Sequence, residues 1–208
     1  MIRAPIALLL IALPLLCAGQ PDARVVKPEV RVGDSWTYRS TNIGAPGTHE
    51  HEMRVSFVDD KVILVVSTRK SDGTELDSSW TSDWNAVTHG GWMFRPHSGF
   101  LRFPLRVGDK HEVNNELLRP RLNTVENSTT GSVTVVGWET VEVPAGKFRA
   151  IKVELDSMVQ PSGGTRAYRR QVTLWYVPEV RRWVKNQIFT SPNSSGSEEL
   201  LDYKLNEN

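Results

Sequence analysis

Cysteine is almost absent from this chain of 208 residues, and the single one, Cys17, stands near the N-terminus. No disulfide framework can form, and no thiol chemistry survives removal of an N-terminal leader. Charge of one sign is also missing. The chain carries 25 Lys+Arg against 24 Asp+Glu, and losing Arg3 with a leader leaves 24 against 24. A nucleic-acid partner, which calls for a basic excess, is therefore not expected. Helical spacing is missing too: nowhere do apolar residues recur at i, i+3, i+4, i+7 across three turns. The sequence contains no G-x-S-x-G, H-E-x-x-H, P-loop or G-x-G-x-x-G. No catalytic residue and no cofactor is assigned. His49 and His51 alternate and would share one strand face, but two ligands are too few for a metal site, so none is assigned.

What is present begins with Arg3 and the apolar run IALLLIALPLLCAG, which ends in small residues. This is the order of a secretory signal over residues 1–19, with cleavage after Gly19 leaving Gln20 first. The run is shorter than the ~20 apolar residues of a spanning helix. A lipoprotein signal needs a small residue before its cysteine, and Leu16 stands there. No second long apolar run follows. The mature chain is expected in the periplasm or secreted, not transmembrane, with an extended lead-in over 20–30 and one domain over 31–205.

From Trp36 onward the pattern is strand after strand. EHEMRVSFV and KVILVVSTR meet at Asp59-Asp60, and Asp72-Gly73 marks the next turn. Residues 139–155, ETVEVPAGKFRAIKVEL, read as a hairpin. Val141 and Val143 on one arm, and Ile151, Val153 and Leu155 on the other, alternate with polar residues, giving each arm one apolar face. Pro144 and Gly146 supply the turn. Phe148 falls out of phase with Ile151, which calls for a bulge nearby. AYRRQVTLWYV and RRWVKNQIFT form a further pair across Pro178-Glu179, and EELLDYKL ends the domain as a strand or short helix. Turn signals every ten residues or so specify an all-β fold, a single antiparallel meander curled into a barrel, a half-barrel or two layers. The expected core includes Val141, Val143, Ile151, Val153, Leu155, Val172 and Leu174.

One echo runs through the chain. Arg31-Val32-Gly33-Asp34 and Arg106-Val107-Gly108-Asp109 each lead into a strand, which reads as one turn solution used twice. In order, VGDSWTYR, FPLRVGDKHEV, ETVEVPAGKFRAIKVE and LWYVPEVRRWVKN resemble a group of bacterial exported proteins of unknown function, the TapB-like proteins. Such proteins carry a VGxxWxY start, a VPAGxF hairpin and a WYxPxxxxWVK strand pair. The resemblance implies a bacterial, periplasmic, β-rich domain and implies no reaction.

Seven tryptophans are the strongest functional signal. Trp80, Trp84 and Trp92 lie close in sequence, Trp80 and Trp84 on one face if the strand runs on, and Trp92 after the flexible Gly90-Gly91. They could line an apolar cavity. Arg166, Arg169, Arg170, Arg181 and Arg182 crowd the adjacent strands and could meet anionic head groups. The expected ligand-binding set is Trp80, Trp84, Trp92, Arg169 and Arg170, for a lipid or amphiphile or an envelope protein partner. The expected function is a non-catalytic binding or adaptor module. The alternatives are a scaffold that meets partners through sheet edges, and a hydrolase with a site assembled in space.

Overall fold

The computed structural model describes residues 24–41, 47–122, 124–190 and 194–207. The signal expected over 1–19 lies outside the described residues. Twelve strands follow in chain order: β1 Ser35–Thr41, β2 Thr48–Val58, β3 Val62–Arg69, β4 Glu75–Thr81, β5 Ala86–His89, β6 Trp92–Arg95, β7 Lys110–Arg119, β8 Thr124–Val143, β9 Gly146–Pro161, β10 Tyr168–Val177, β11 Arg182–Thr190 and β12 Ser194–Lys204. Each pairs antiparallel with its sequence neighbour, and β1 also pairs with β12, so the meander closes into a barrel. Of the three all-β arrangements open to the sequence, the closed ring is the one formed. Closure pairs the two terminal strands with each other. The chain end left open between strand and helix is the strand β12.

Alternation along the strands builds the core. Val133, Ile151, Val153, Leu155, Val172 and Leu174 all point inward and are buried; Val141 and Val143 are buried too. In the opening hairpin, Val143 pairs with Gly146 around Pro144-Ala145. The Ala145 N–H reaches across to the Leu200 carbonyl at 3.0 Å, pinning the hairpin to β12. The bulge called for by Phe148 lies on the facing strand: Val135 pairs with Val153 and Gly137 with Lys152, leaving Val136 extra. The phase of β8 therefore flips: Val141 and Val143 share a face with Phe148 and Ala150, opposite to Val135, Ile151 and Val153. Both faces of the hairpin are covered, so that Ala150 and Ile151 are both buried though adjacent. Gly131 has a separate reason to be glycine, since a Cβ there would sit 2.4 Å from the Asp156 carbonyl oxygen on β9.

The two R-V-G-D turns are built alike. Gly33 and Gly108 both have φ near 90°. The Asp34 N–H donates to the Arg31 carbonyl at 3.1 Å, and the Asp109 N–H to the Arg106 carbonyl at 3.0 Å. Each glycine N–H then donates to a neighbouring strand, Gly33 to Val55 and Gly108 to Val135, and each of those residues precedes a bulge. The same four residues thus solve the same problem twice: starting a strand beside a kinked neighbour.

One end of the barrel is closed. Residues 96–109 cross it, with Leu101 and Leu105 buried in the core. Asn85 holds this segment from both sides, donating to the Leu101 carbonyl at 2.7 Å and accepting from the Leu101 N–H at 2.8 Å. Val25, within the lead-in, bridges to Leu105. The fully buried Asp34 carboxylate accepts from Arg181 Nη1 at 3.0 Å, from the Asn206 N–H at 2.7 Å and from the Arg31 N–H at 3.0 Å. The start and end of the domain are tied together at this base. The turns after β3, β5, β7 and β9 lie at the other end, which is open.

Candidate functional site

At the base of the lumen a single guanidinium fills an aromatic box. Arg182, the first residue of β11, is 0% exposed. Its guanidinium carbon lies 3.9 Å from the ring centre of Trp183, 4.2 Å from Trp84, 5.0 Å from Trp80 and 5.4 Å from Trp36. Tyr38 stands behind at 6.0 Å. Cations lie favourably over such rings, more so where water is excluded. Each ring is held by its polar end: Trp36 Nε1 donates to the Val180 carbonyl and Trp84 Nε1 to the Arg181 carbonyl, both at 2.9 Å. Tyr38 Oη donates to the Trp183 carbonyl at 2.7 Å. Among described residues, the two non-glycine positions with positive φ are Trp84 and Arg181, at 59° and 60°. They are the two ends of one of these bonds. Local backbone strain here is tolerated because the box fixes both residues.

The counter-charge is Glu198 on β12. Its carboxylate accepts from Trp183 Nε1 at 2.9 Å, Asn186 Nδ2 at 3.3 Å and Ser40 Oγ at 3.3 Å, and it meets His51 Nε2 at 3.3 Å. Burial pushes its carboxyl up, but the hydrogen bond and charge of His51, the Trp183 N–H and the Arg182 charge outweigh burial and hold it at about 2. Glu198 is ionised, and the Arg182–Glu198 charges balance across the aromatic box.

Above the base the lumen holds two adjoining chambers. The inner one has a volume of about 220 Å³ and is walled by Met53, Trp80, Trp84, Phe94, Phe100, Val172, Leu174 and Ile188, with Arg170, Arg182 and Glu198 as its charged groups. The outer one, about 630 Å³, opens at the mouth between His49, His51, His89, Trp92, Leu76 and Arg69. His89, Asn186, Ile188 and Glu198 border both. His89 lies tilted against Trp80, with ring centres 5.3 Å apart, yet stays accessible from the outer chamber. The surrounding wall lowers its pKa below the ordinary imidazole value. His49 and His51 share a face, as alternation requires, with ring centres 5.7 Å apart. Among the described residues no three histidines, cysteines or acids converge so as to hold a metal ion. His51 and Glu198 form the base–acid half of a relay, but the buried His51 Nδ1 has no hydrogen-bond partner among described residues, so no nucleophile is attached to it.

The structure distributes the sequence-derived set over three places. Trp80 and Trp84 do meet, 5.9 Å apart at 71°, but not as one strand face: Trp84 lies beyond β4 in a left-handed turn that swings its ring inward. Trp92 pairs with His89 at the mouth, under Arg119 at 5.2 Å, away from that cluster. Arg170 faces the inner chamber. Arg169 is on the outer wall, where its Nε donates to Asp156 at 2.8 Å, so the two adjacent arginines do not act on one ligand. Sequence reasoning named Arg182 as one of five clustered arginines but left it out of the binding set, and it missed Trp183, Trp36 and the His51–Glu198 pair. The usable signal was the run Arg181-Arg182-Trp183 against seven tryptophans, but alternation could not tell which arginine points in.

No family model matches the chain, and no curated protein does. Solved structures do match. An exported protein with a YmcC-like fold from Bacteroides fragilis aligns with a TM-score of 0.56 at 16% identity, covering 88% of this chain and 100% of that one. The fold is YmcC-like. A lipoprotein from Parabacteroides distasonis aligns with a TM-score of 0.55 at 14% identity, covering 86% of this chain and 99% of that one. At this identity the likeness shows the shared barrel and nothing about its contents.

Proposed function

We propose that this protein is an exported, non-catalytic binding module whose barrel lumen takes an apolar or amphiphilic ligand. One observation carries the reading: an aromatic- and aliphatic-walled inner chamber adjoins a wider chamber at the mouth, with His89, Asn186, Ile188 and Glu198 lining both, while residues 96–109 cross the opposite end of the barrel. A concave apolar cavity with a few placed polar groups is the usual form of a small-molecule site. Export is supported by the order of charge, apolar run and small residues over 1–19, and by the descriptions of the two matching structures as an exported protein and a lipoprotein. Leu16 before Cys17 argues for a soluble periplasmic or secreted form over a lipidated one.

The test is titration with the neutral dye N-phenyl-1-naphthylamine, whose fluorescence rises in apolar surroundings. Wild-type protein should bind it saturably. Val172→Trp, which fills the inner chamber, should reduce that uptake while the domain still unfolds cooperatively. Absence of saturable uptake by the wild type overturns the lumen reading and favours a protein partner at the outer wall. N-terminal sequencing of exported material should begin at Gln20, and intact Met1 on soluble cytosolic protein would refute export.

A further inference from the structure

We propose that Arg170 is the head-group residue of the lumen: it pairs with the carboxylate of an amphiphilic acid whose hydrocarbon part lies along the inner chamber. This deepens the lumen reading and rests on it.

The two inward-facing arginines of the chamber differ in one respect. Arg182 has its rings and the Glu198 charge. Arg170 has neither. It forms no ion pair among the described residues, and its buried Nε has no hydrogen-bond partner. The acids on its own and the adjoining strand are all on the far side of the wall: Asp156 is engaged by Arg169, and Glu154 by Lys152. Glu198 also borders the chamber, but its oxygens are taken by Trp183, Asn186, Ser40 and His51. Ile188 separates Thr190, the partner of Arg170, from Asn186 beside Glu198. Arg170 is half-buried, with its Nε fully enclosed; a cation drawn this far into an apolar wall without a counter-charge loses solvation and is ordinarily compensated by an anion.

The neighbours of Arg170 define the rest of the ligand. Val172 and Leu174 follow it inward along β10, facing Ile188 and Asn186 on β11. A ligand there meets one cationic group at the mouth side and an apolar wall beyond it. The planar guanidinium fork matches a carboxylate in two parallel hydrogen bonds, which strengthen in a chamber poor in water. Sulfate and phosphate head groups share the negative charge but not the planar match.

The experiment uses a fluorescent polyene fatty acid and its methyl ester, each titrated into the mature protein at a pH well above the acid's pKa. Wild-type protein should bind the acid about tenfold more tightly than the ester. Arg170→Gln should erase that preference, and Arg169→Gln, on the outer wall, should keep it. Ligand-free Arg170→Gln should melt at or above the wild-type temperature, because an uncompensated charge has been removed. A preference retained in Arg170→Gln, or a melting temperature several degrees below wild type, overturns the proposal. So does an alkyl sulfate of equal chain length that displaces the dye better than the acid. Equal binding of acid and ester overturns it while leaving the lumen reading intact; binding of neither overturns both.

Discussion

The base and the mouth of this barrel are built from the same strands and the same residue types, yet they are finished differently. At the base, Trp36, Trp84 and Tyr38 each donate to a carbonyl of the segment 180–183, and Asp34 collects donors from both ends of the domain. At the mouth, His51 Nδ1 and Ser67 Oγ are buried without partners, Trp92 is partly open, and Leu76 is half-exposed. Arg182 Nε and Nη1 and Tyr176 Oη are also buried without a hydrogen-bond partner among the described residues, so the two ends differ in volume rather than in unsatisfied atoms: rings close over Arg182 at the base, whereas His51 and Ser67 border the outer chamber. The contrast matches the proposal that one end serves stability and the other binding.

The most forceful way to break the comparison is at the base. Trp84→Ala opens a large void, strands the Arg181 carbonyl and uncovers one face of Arg182. The expected cost is about 3–5 kcal/mol, typical of large-to-small aromatic substitutions in a core. In a domain of this size that lowers the melting temperature by roughly 6–20 °C. A variant melting within a degree or two of wild type would show that the box is not what holds the base.

The next effect is set by pH and lies at the boundary between the two regions. Glu198 titrates at about 2 in the folded protein, against an ordinary 4.5. A depressed carboxylate stabilises the fold above its unfolded value, and that contribution is lost as pH falls through the folded one. The difference corresponds to about 3 kcal/mol, fully present at neutral pH and lost progressively from just above pH 4.5 down to about pH 2. Glu198→Gln should be the less stable protein at pH 7, with the gap closing toward pH 2 in denaturant titrations. Parallel curves for the two proteins over this range would remove Glu198 from the charge balance of the box.

The strands were legible because period-two alternation is a local signal: Val141, Val143, Ile151, Val153, Val172 and Leu174 needed only their neighbours to be read. The turns were legible for the same reason, at Asp59, Gly73, Pro144 and the two R-V-G-D segments. Closure of the ring was not, because it rests on Trp36 meeting Tyr203 across almost the whole domain. The site was half-legible. Tryptophan content announced an aromatic cluster, but its centre, Arg182, shares a dipeptide with Arg181, and two adjacent strand-end residues point apart. Trp84 was placed correctly beside Trp80 for a reason that does not hold, since no strand continues between them. A left-handed tryptophan leaves no mark in a sequence.

The smallest effect sharpens the comparison most, because it uses the same residue type at the other end. Trp92 stands on β6 after the Gly90-Gly91 turn, where both glycines have positive φ and the hairpin is only four residues a side. One face of its ring is covered by Arg119, and the rest borders the outer chamber. Removing it forfeits an exposed cation–π contact and some surface burial, together about 1 kcal/mol of stability. If the base is structural and the mouth is for binding, Trp92→Ala should melt close to wild type yet bind N-phenyl-1-naphthylamine roughly fivefold more weakly, a loss of about 1 kcal/mol in affinity. Paired with Trp84→Ala, the variant separates the two roles of tryptophan in one fold. A Trp92→Ala protein that unfolds as readily as Trp84→Ala would make the mouth part of the core. One that binds the dye as well as wild type would move the ligand away from the mouth.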